Sequence, residues 1–264
     1  MNIDGANIVL TGAGSGIGQA MACELSRRGA YLTLADINAQ GLEQTHALLA
    51  RPEAAAMVVS DVTTAEGRAA IVHAVEARSD ILDILINNAG VVAAGPIDTL
   101  SDTQIERICR VNIMAPMALS RDCLPLLRRA RPGMVANVGS VFGDIAFPLF
   151  AAYSASKFAV RGLSDALRRE LADDDIFVTY IAPRAAKTAA SSTFKHLIEP
   201  FRMRLDTPEK VAQGAVRAIA RHRRTAYPMG AERFYVCVQR LAPNIIDSAL
   251  TRQIAAYRRQ GPRP

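Results

Sequence analysis

The chain has 264 residues, half of them hydrophobic, a net charge of +6 and four cysteines. That length fits one large α/β domain or two small ones, and no apolar run approaches the roughly 18–20 residues that a membrane-spanning helix needs. The start of the chain carries no basic segment leading into an apolar one, so no secretory signal is expected, and Cys23, Cys109, Cys123 and Cys237 have no CxxC spacing. They read as reduced, small buried residues of a cytoplasmic protein, against a disulfide frame or a metal site.

Residues 8–10 are an apolar run leading into a glycine turn, and residues 17–28 have helical spacing closed by Gly29. A second strand at 31–35 ends at Asp36, and a helix runs to about residue 50. A third strand follows at 56–60, a helix at 65–78 and a fourth strand at 81–86. A long helical stretch covers 101–130. A fifth strand spans 134–138, a helix 153–172 and a sixth strand 176–181. Strands alternating with helices imply right-handed crossovers and a doubly wound parallel sheet with helices on both faces. The nearly all-apolar strands agree with burial on both sides. No repeat or low-complexity linker interrupts the pattern, so residues 1–264 read as a single domain with a Pro-rich, frayed end at 261–264.

The turn at 11–18 reads TGAGSGIG, with Gly12, Gly16 and Gly18 where strand one meets helix one. Glycine allows a pyrophosphate close to the backbone, and the helix behind it offers unpaired N–H groups. Taken alone the run also suits an ordinary tight turn. Asp36 lies 24 residues after Gly12. A carboxylate there accepts bonds from ribose hydroxyls and repels a 2′-phosphate, while Ser15 and Ile37 offer that phosphate no cation; NAD is favoured over NADP. Asp36 is equally placed to cap the helix before Asn38. Asp61-Val62, after strand three, reads either as a helix cap alone or as a cap that also meets the adenine amine.

Tyr153 and Lys157 are four apart on a helix and share a face. A tyrosine exchanges a proton with a substrate oxygen if its pKa of about 10 falls towards neutrality, and the Lys157 ammonium is expected to lower it. Ser140, 13 residues upstream, is placed to hydrogen-bond the substrate oxygen.

With these elements in order, the chain resembles the short-chain dehydrogenase/reductase family of compact, single-domain type, over roughly residues 4–188. The matching motifs are TGAGSGIG at 11–18, Asn87-Asn88-Ala89-Gly90, Val111-Asn112, and the Ser140, Tyr153 and Lys157 set. The resemblance implies a Rossmann-like sheet of seven strands, the last near residues 226–228. It also implies hydride transfer between NAD(H) and a small-molecule alcohol or ketone, and a homotetramer or dimer built on 101–130 and 154–172. It assigns Asn112 a relay water, Lys157 the ribose, Asn88, Ala89 and Gly90 the adenosine side, and Pro183 and Thr188 the nicotinamide. Gly12, Ser15, Gly16, Ile17, Gly18, Asp36, Asp61, Val62, Tyr153 and Lys157 complete the expected cofactor contacts. One departure stands out: Arg184 replaces the glycine that usually follows Pro183. Its side chain either points outward or meets an anionic substrate or the cofactor diphosphate.

Residues 189–204 occupy the family's substrate lid, with Phe194, Leu197, Ile198, Phe201 and Met203 giving it an apolar character; a helix packed on the core is the other reading. His196 reads as a surface residue of that segment. In the 231–264 extension, Phe234, Val238, Leu241 and Ile245 share a helical face, Pro243 suggests a restart, and Ile246, Leu250 and Ile254 continue a stripe beside Arg252, Arg258 and Arg259. Residues 191–264 hold 14 Lys and Arg against 5 Asp and Glu, the rest 17 against 20. This basic quarter suits a solvated surface or an anionic partner. Packing on a subunit or along a substrate channel ranks ahead of membrane-surface contact, and no nucleic-acid motif accompanies it. A hydrophobic hydroxy or keto substrate, such as an acyl chain, follows as the expectation. A non-catalytic dinucleotide sensor is the competing class, which the Ser–Tyr–Lys set opposes.

Overall fold

The computed structural model describes residues 1–228, 230 and 232–259; the expected frayed end at 261–264 lies outside them. Seven parallel strands form one sheet in the order β3-β2-β1-β4-β5-β6-β7. They are β1 (Asn7–Thr11), β2 (Tyr31–Asp36), β3 (Ala55–Val59), β4 (Ile84–Asn87), β5 (Gly133–Val138), β6 (Ile176–Ile181) and β7 (Thr225–Ala226). The chain winds outward from β1 in both directions, so the crevice at the C-terminal ends of β1 and β4 is the place where such sheets bind ligands.

Period-two alternation sends Ile8, Leu10, Leu32, Leu34, Ile84, Ile86, Met134 and Ala136 to one face. There they meet Met21, Ala22 and Leu25 of α1 (Gly16–Arg27), Leu42 of α2 (Ala39–Ala47), and Ala212, Ala215, Val216 and Ile219 of α8 (Pro208–Ala220). Val9, Leu85, Val135 and Val178 point the other way, onto Ile71 and Val75 of α3 (Ala65–Glu76) and Leu119, Cys123, Leu126 and Leu127 of α5 (Ala115–Ala130). The all-apolar strands are therefore apolar because each face has its own helical layer.

Some boundaries differ from expectation. β4 starts at Ile84 rather than residue 81, because the amides of Ile81 and Leu82 donate to the Ser79 hydroxyl at 3.1 Å and the Leu126 carbonyl at 3.4 Å instead of a neighbouring strand. The 101–130 stretch is three pieces: α4 (Asp102–Cys109), a π turn at Arg110–Met114, and α5. α6 (Ala151–Glu170) starts two residues early. Of the four free cysteines only Cys123 is buried, and Cys237 is exposed.

The 189–204 segment is a 3-10 turn (Ala189–Phe194) and a short α7 (Lys195–Ile198), with His196 exposed. Pro243 does restart the last part, dividing α9 (Glu232–Leu241) from α10 (Pro243–Arg259). The expected apolar face of α9 is turned outward, however: Phe234, Leu241 and Ile245 are exposed, and the residue buried from α9 is Val236. Among the described residues no helix is long and apolar enough to cross a membrane.

Candidate active site

The glycine turn is closed by backbone contacts. Gly16 has φ +56°, and a Cβ on Gly18 would lie 1.9 Å from the Gly12 carbonyl oxygen, so α1 can start against the turn only with glycine there. Asn38, Thr64, Ser101 and Thr207 cap α2, α3, α4 and α8 with side-chain oxygens. Ser15, the N-cap of α1, makes no such bond, and α1 has no acid in its first turn. Its leading amides and dipole are therefore presented to an anion. Ile17 is half-buried and packs on the core beneath.

The Asp36 carboxylate accepts from Gly14 N at 2.8 Å and Asn38 N at 2.9 Å, which leaves acceptor sites on a group able to take about four bonds. It does not cap α2, since Asn38 does. Nor does Asp61 cap α3: it binds the amide and hydroxyl of Thr63, and Thr64 is the cap. Val62 lines a small cleft with Thr11, Asn87, Ala89 and Val111. The Asn88 amide donates to the carbonyls of Thr11 and Gly12 at 3.0 and 3.1 Å, and the backbone amides of Asn88 and Ala89 donate to the Thr11 hydroxyl, joining the end of β4 to the turn. Thr188 sets its methyl against Gly16. Beside Asp61, the buried Ser60 hydroxyl is the one such side-chain atom among the described residues without a partner. A cradle without side chains, uncapped amides, an acceptor at Asp36 and an orphaned hydroxyl fit a dinucleotide.

Ser140, Tyr153 and Lys157 meet at the ends of β5 and α6. The Ser140 hydroxyl accepts from Phe142 N at 3.1 Å and pairs with the Tyr153 phenol. Lys157 donates to the Val138 carbonyl at 3.1 Å, its ammonium 5.6 Å from the centre of the Tyr153 ring. Asn112, in the π turn, spends its side-chain amide on protein: Oδ1 accepts from Val91 N at 2.9 Å, and Nδ2 donates to Val91 O and to the Ser156 hydroxyl. It fixes the backbone after Gly90, where a side chain would meet Asn112 Oδ1 at 3.4 Å and Lys157 Nζ at 3.5 Å.

The expected lowering of the Tyr153 pKa is not what these residues produce. Burial pushes the phenol up to about 12, with the Ser140 hydrogen bond the opposing influence, and the same desolvation brings Lys157 down to about 8. The reason is an apolar enclosure. Phe142 lies edge-on to Tyr153 at 6.3 Å and stacks on Phe147 at 5.0 Å. Phe150 meets Phe194 at 5.5 Å, and Phe147 meets Phe201 at 5.4 Å. The five apolar residues singled out in 189–204 all join this cluster, together with Ile254 and Tyr257 of α10.

Tyr180 carries a role that its place in an apolar strand hid. Its hydroxyl donates to Ser140 O at 2.8 Å and accepts from Ser140 N at 3.4 Å, bracing the serine backbone from below. Its ring occupies the space a Cβ on Gly139 would need, 2.1 Å away. The visible signal was Gly139, standing directly before Ser140. Pro183 O accepts from Val141 N at 3.0 Å, tying the exit of β6 to the same loop. Arg184 follows neither expected course: it forms ion pairs with Asp206 and Glu232 inside the protein.

A family model described as short chain dehydrogenase matches residues 6–197. "Putative oxidoreductase SadH" of Mycobacterium tuberculosis is 34% identical over 235 residues, 83% of this chain and 84% of the relative. Estradiol 17-beta-dehydrogenase 11 of Macaca fascicularis is 30% identical over 257 residues, covering 96% and 84%. Among solved structures, a 3-ketoacyl-(acyl-carrier-protein) reductase from Brucella melitensis complexed with NADH is similar with a TM-score of 0.77 and 26% identity, over 85% of this chain and 96% of that one. With its glycine turn, sheet order and Ser140–Tyr153–Lys157 grouping on one crevice, the chain belongs to the short-chain dehydrogenase family and is an oxidoreductase.

Proposed function

We propose that this oxidoreductase uses NAD(H) to interconvert a secondary alcohol and a ketone on a hydrophobic, acyl-like substrate. The observation that carries this reading is the Tyr153 phenol, paired with Ser140, set between the glycine turn and an enclosure of phenylalanines. Bound NAD(H) supplies or accepts the hydride at the substrate carbon. Ser140 holds the substrate oxygen against Tyr153, which gives its proton to that oxygen in reduction and takes one in oxidation. A phenol held up at about 12 keeps its proton at neutral pH and suits ketone reduction, whereas oxidation needs the phenolate and grows with pH. Lys157, over the phenol ring, would hold the cofactor ribose, and Asn112 keeps the Val91 backbone in place beside it. The free acceptor sites of Asp36 favour ribose hydroxyls and oppose a 2′-phosphate.

Residues 189–204 form the lid, and α9–α10 the extension that completes the pocket. The names of the similar proteins support a carbonyl or hydroxyl on a large apolar skeleton, and NADH bound to the Brucella reductase supports the cofactor. Exposed Met114 at the end of the π turn, Met117 of α5 and Phe158 of α6 support a homo-oligomer through this face.

The test is NADH and NADPH consumption with ketones and 3-oxoacyl thioesters of graded length, in wild type, Tyr153→Phe and Asp36→Ala. Expected are NADH preference, kcat/KM rising with chain length, a drop of roughly 10²–10⁴ in Tyr153→Phe, and a shift towards NADPH in Asp36→Ala. Activity on compact ketones alone would overturn the acyl-like substrate. NADH binding with no turnover on any of them would overturn the enzyme reading.

A further inference from the structure

Arg184 is shared between two carboxylates from distant parts of the chain. Its Nε and Nη2 donate to the two oxygens of Asp206, each at 2.6 Å, the two-pronged geometry that suits a guanidinium. Its remaining arm, Nη1, donates to Glu232 at 2.9 Å. All three side chains are largely buried, at 23%, 7% and 14% exposure.

Each carboxylate belongs to a different segment that packs on the phenylalanine cluster. Asp206 closes the neck of the lid: Ala186 and Asp206 form an isolated parallel bridge, Lys187 N donates to Asp206 O at 2.8 Å, and Asp206 N donates to Ala185 O at 3.0 Å. Everything from 187 to 205 is a loop hung from that closure. Glu232 is the first residue of α9, and α9 turns at Ala242 into α10. The far part of α10 brings Ile254 and Tyr257 onto the phenylalanine cluster, with Tyr257 5.4 Å from Phe201 of the lid. Few other contacts hold α9 down. Val236 is its buried residue, and Arg240, 60% exposed, reaches Asp144 at 3.4 Å. Asp144 is buried and already paired with Arg161 at 2.9 Å, so the longer contact from the exposed Arg240 adds little to it and the shielded Arg184–Glu232 pair is the main tie at the root of the arm.

We propose that the Arg184–Glu232 pair is a latch that holds the α9–α10 arm against the lid, and that Glu232 thereby determines how much substrate chain the pocket rewards. The inference rests on the hydrophobic-substrate reading above. A short ketone reacts near Ser140 and Tyr153 and never reaches α10. A longer chain gains from burial against Ile254, Tyr257 and Phe201, up to about four-fold in kcat/KM per fully buried methylene. Glu232 is a positioning residue in this scheme, acting through α10 and touching no reacting atom.

Glu232→Gln tests it, because the amide keeps the shape, removes the charge and leaves the Arg184–Asp206 fork intact. Two readouts are taken on the full chain: amide hydrogen exchange over residues 243–259, and kcat/KM across the chain-length series. Expected are faster exchange in α10, unchanged kcat/KM on the shortest ketone, and a flattened slope for long chains carried by KM with kcat kept. Glu232→Asp, which retains the charge, is expected to recover part of the slope. Unchanged exchange in α10 would overturn the latch. Faster exchange with an unaltered slope, or an equal loss at every length, would overturn the specificity role. A wild type indifferent to chain length, with normal turnover, would instead sink the hydrophobic-substrate reading, and the exchange result would still decide whether the latch exists.

Discussion

The glycine-turn side of Tyr153 and its aromatic side are secured by different physics. On the first, Gly18 abuts the Gly12 carbonyl with no room for one more carbon, and the Asn88 side-chain amide bonds the carbonyls of Thr11 and Gly12. On the second, rings at 5–6 Å and one shared guanidinium gather side chains from residues 142 to 257. The Gly12–Gly18 contact leaves no side chain to vary. Ring packing and ion pairs can be retuned by changing side chains. The difference implies that equal-sized substitutions on the two sides have unequal costs.

Gly18→Ala attacks the turn and is expected to have the largest effect. The added methyl overlaps a carbonyl held by Asn88, and overpacking of this kind costs about 3 kcal/mol. Urea unfolding and NADH titration are expected to show both lost stability and weakened binding by more than about ten-fold. A folded variant with normal affinity would break the comparison.

On the other side, Arg184→Gly installs the residue usual in the family and leaves Asp206 and Glu232 without their cation. Allowing for partial exposure, the expected loss is about 2–3 kcal/mol, with NADH affinity kept. If cofactor affinity falls as far as in Gly18→Ala, the two sides are not independent.

A third effect is a pH dependence. Burial brings Lys157 from 10.5 to about 8. Between those values the unfolded chain holds the proton more tightly than the folded one, so folding gains stability as pH rises through the window. The thermal midpoint of wild type relative to Lys157→Met is therefore expected to move in favour of wild type from pH 8 towards 10.5. A pH-independent difference would mean that the ammonium is solvated.

Local patterns made much of this legible beforehand. β6 lies where its apolar run places it, the turn sits between β1 and α1, and Pro243 restarts a helix. Each depends on neighbours within one or two turns of chain. The misses depend on distant partners: Leu82 bonded to Leu126 ahead of β4, Tyr180 beneath Gly139, and Arg184 reaching residues 22 and 48 positions away. The Tyr153 pKa belongs with them. Four residues of spacing suggested an ammonium beside a phenol, but phenylalanines from two other segments set the sign of the shift.

Tyr180 and Gly139 have a consequence for how this site can evolve. Because the ring fills the volume that any side chain at 139 would take, the two positions are epistatic. A lone enlargement at 139 collides with a fully buried ring, while a lone reduction at 180 opens a void and strips Ser140 of its brace. Descendants of this chain therefore cross to another solution only by changing both positions together, and libraries that vary residues singly will find neither.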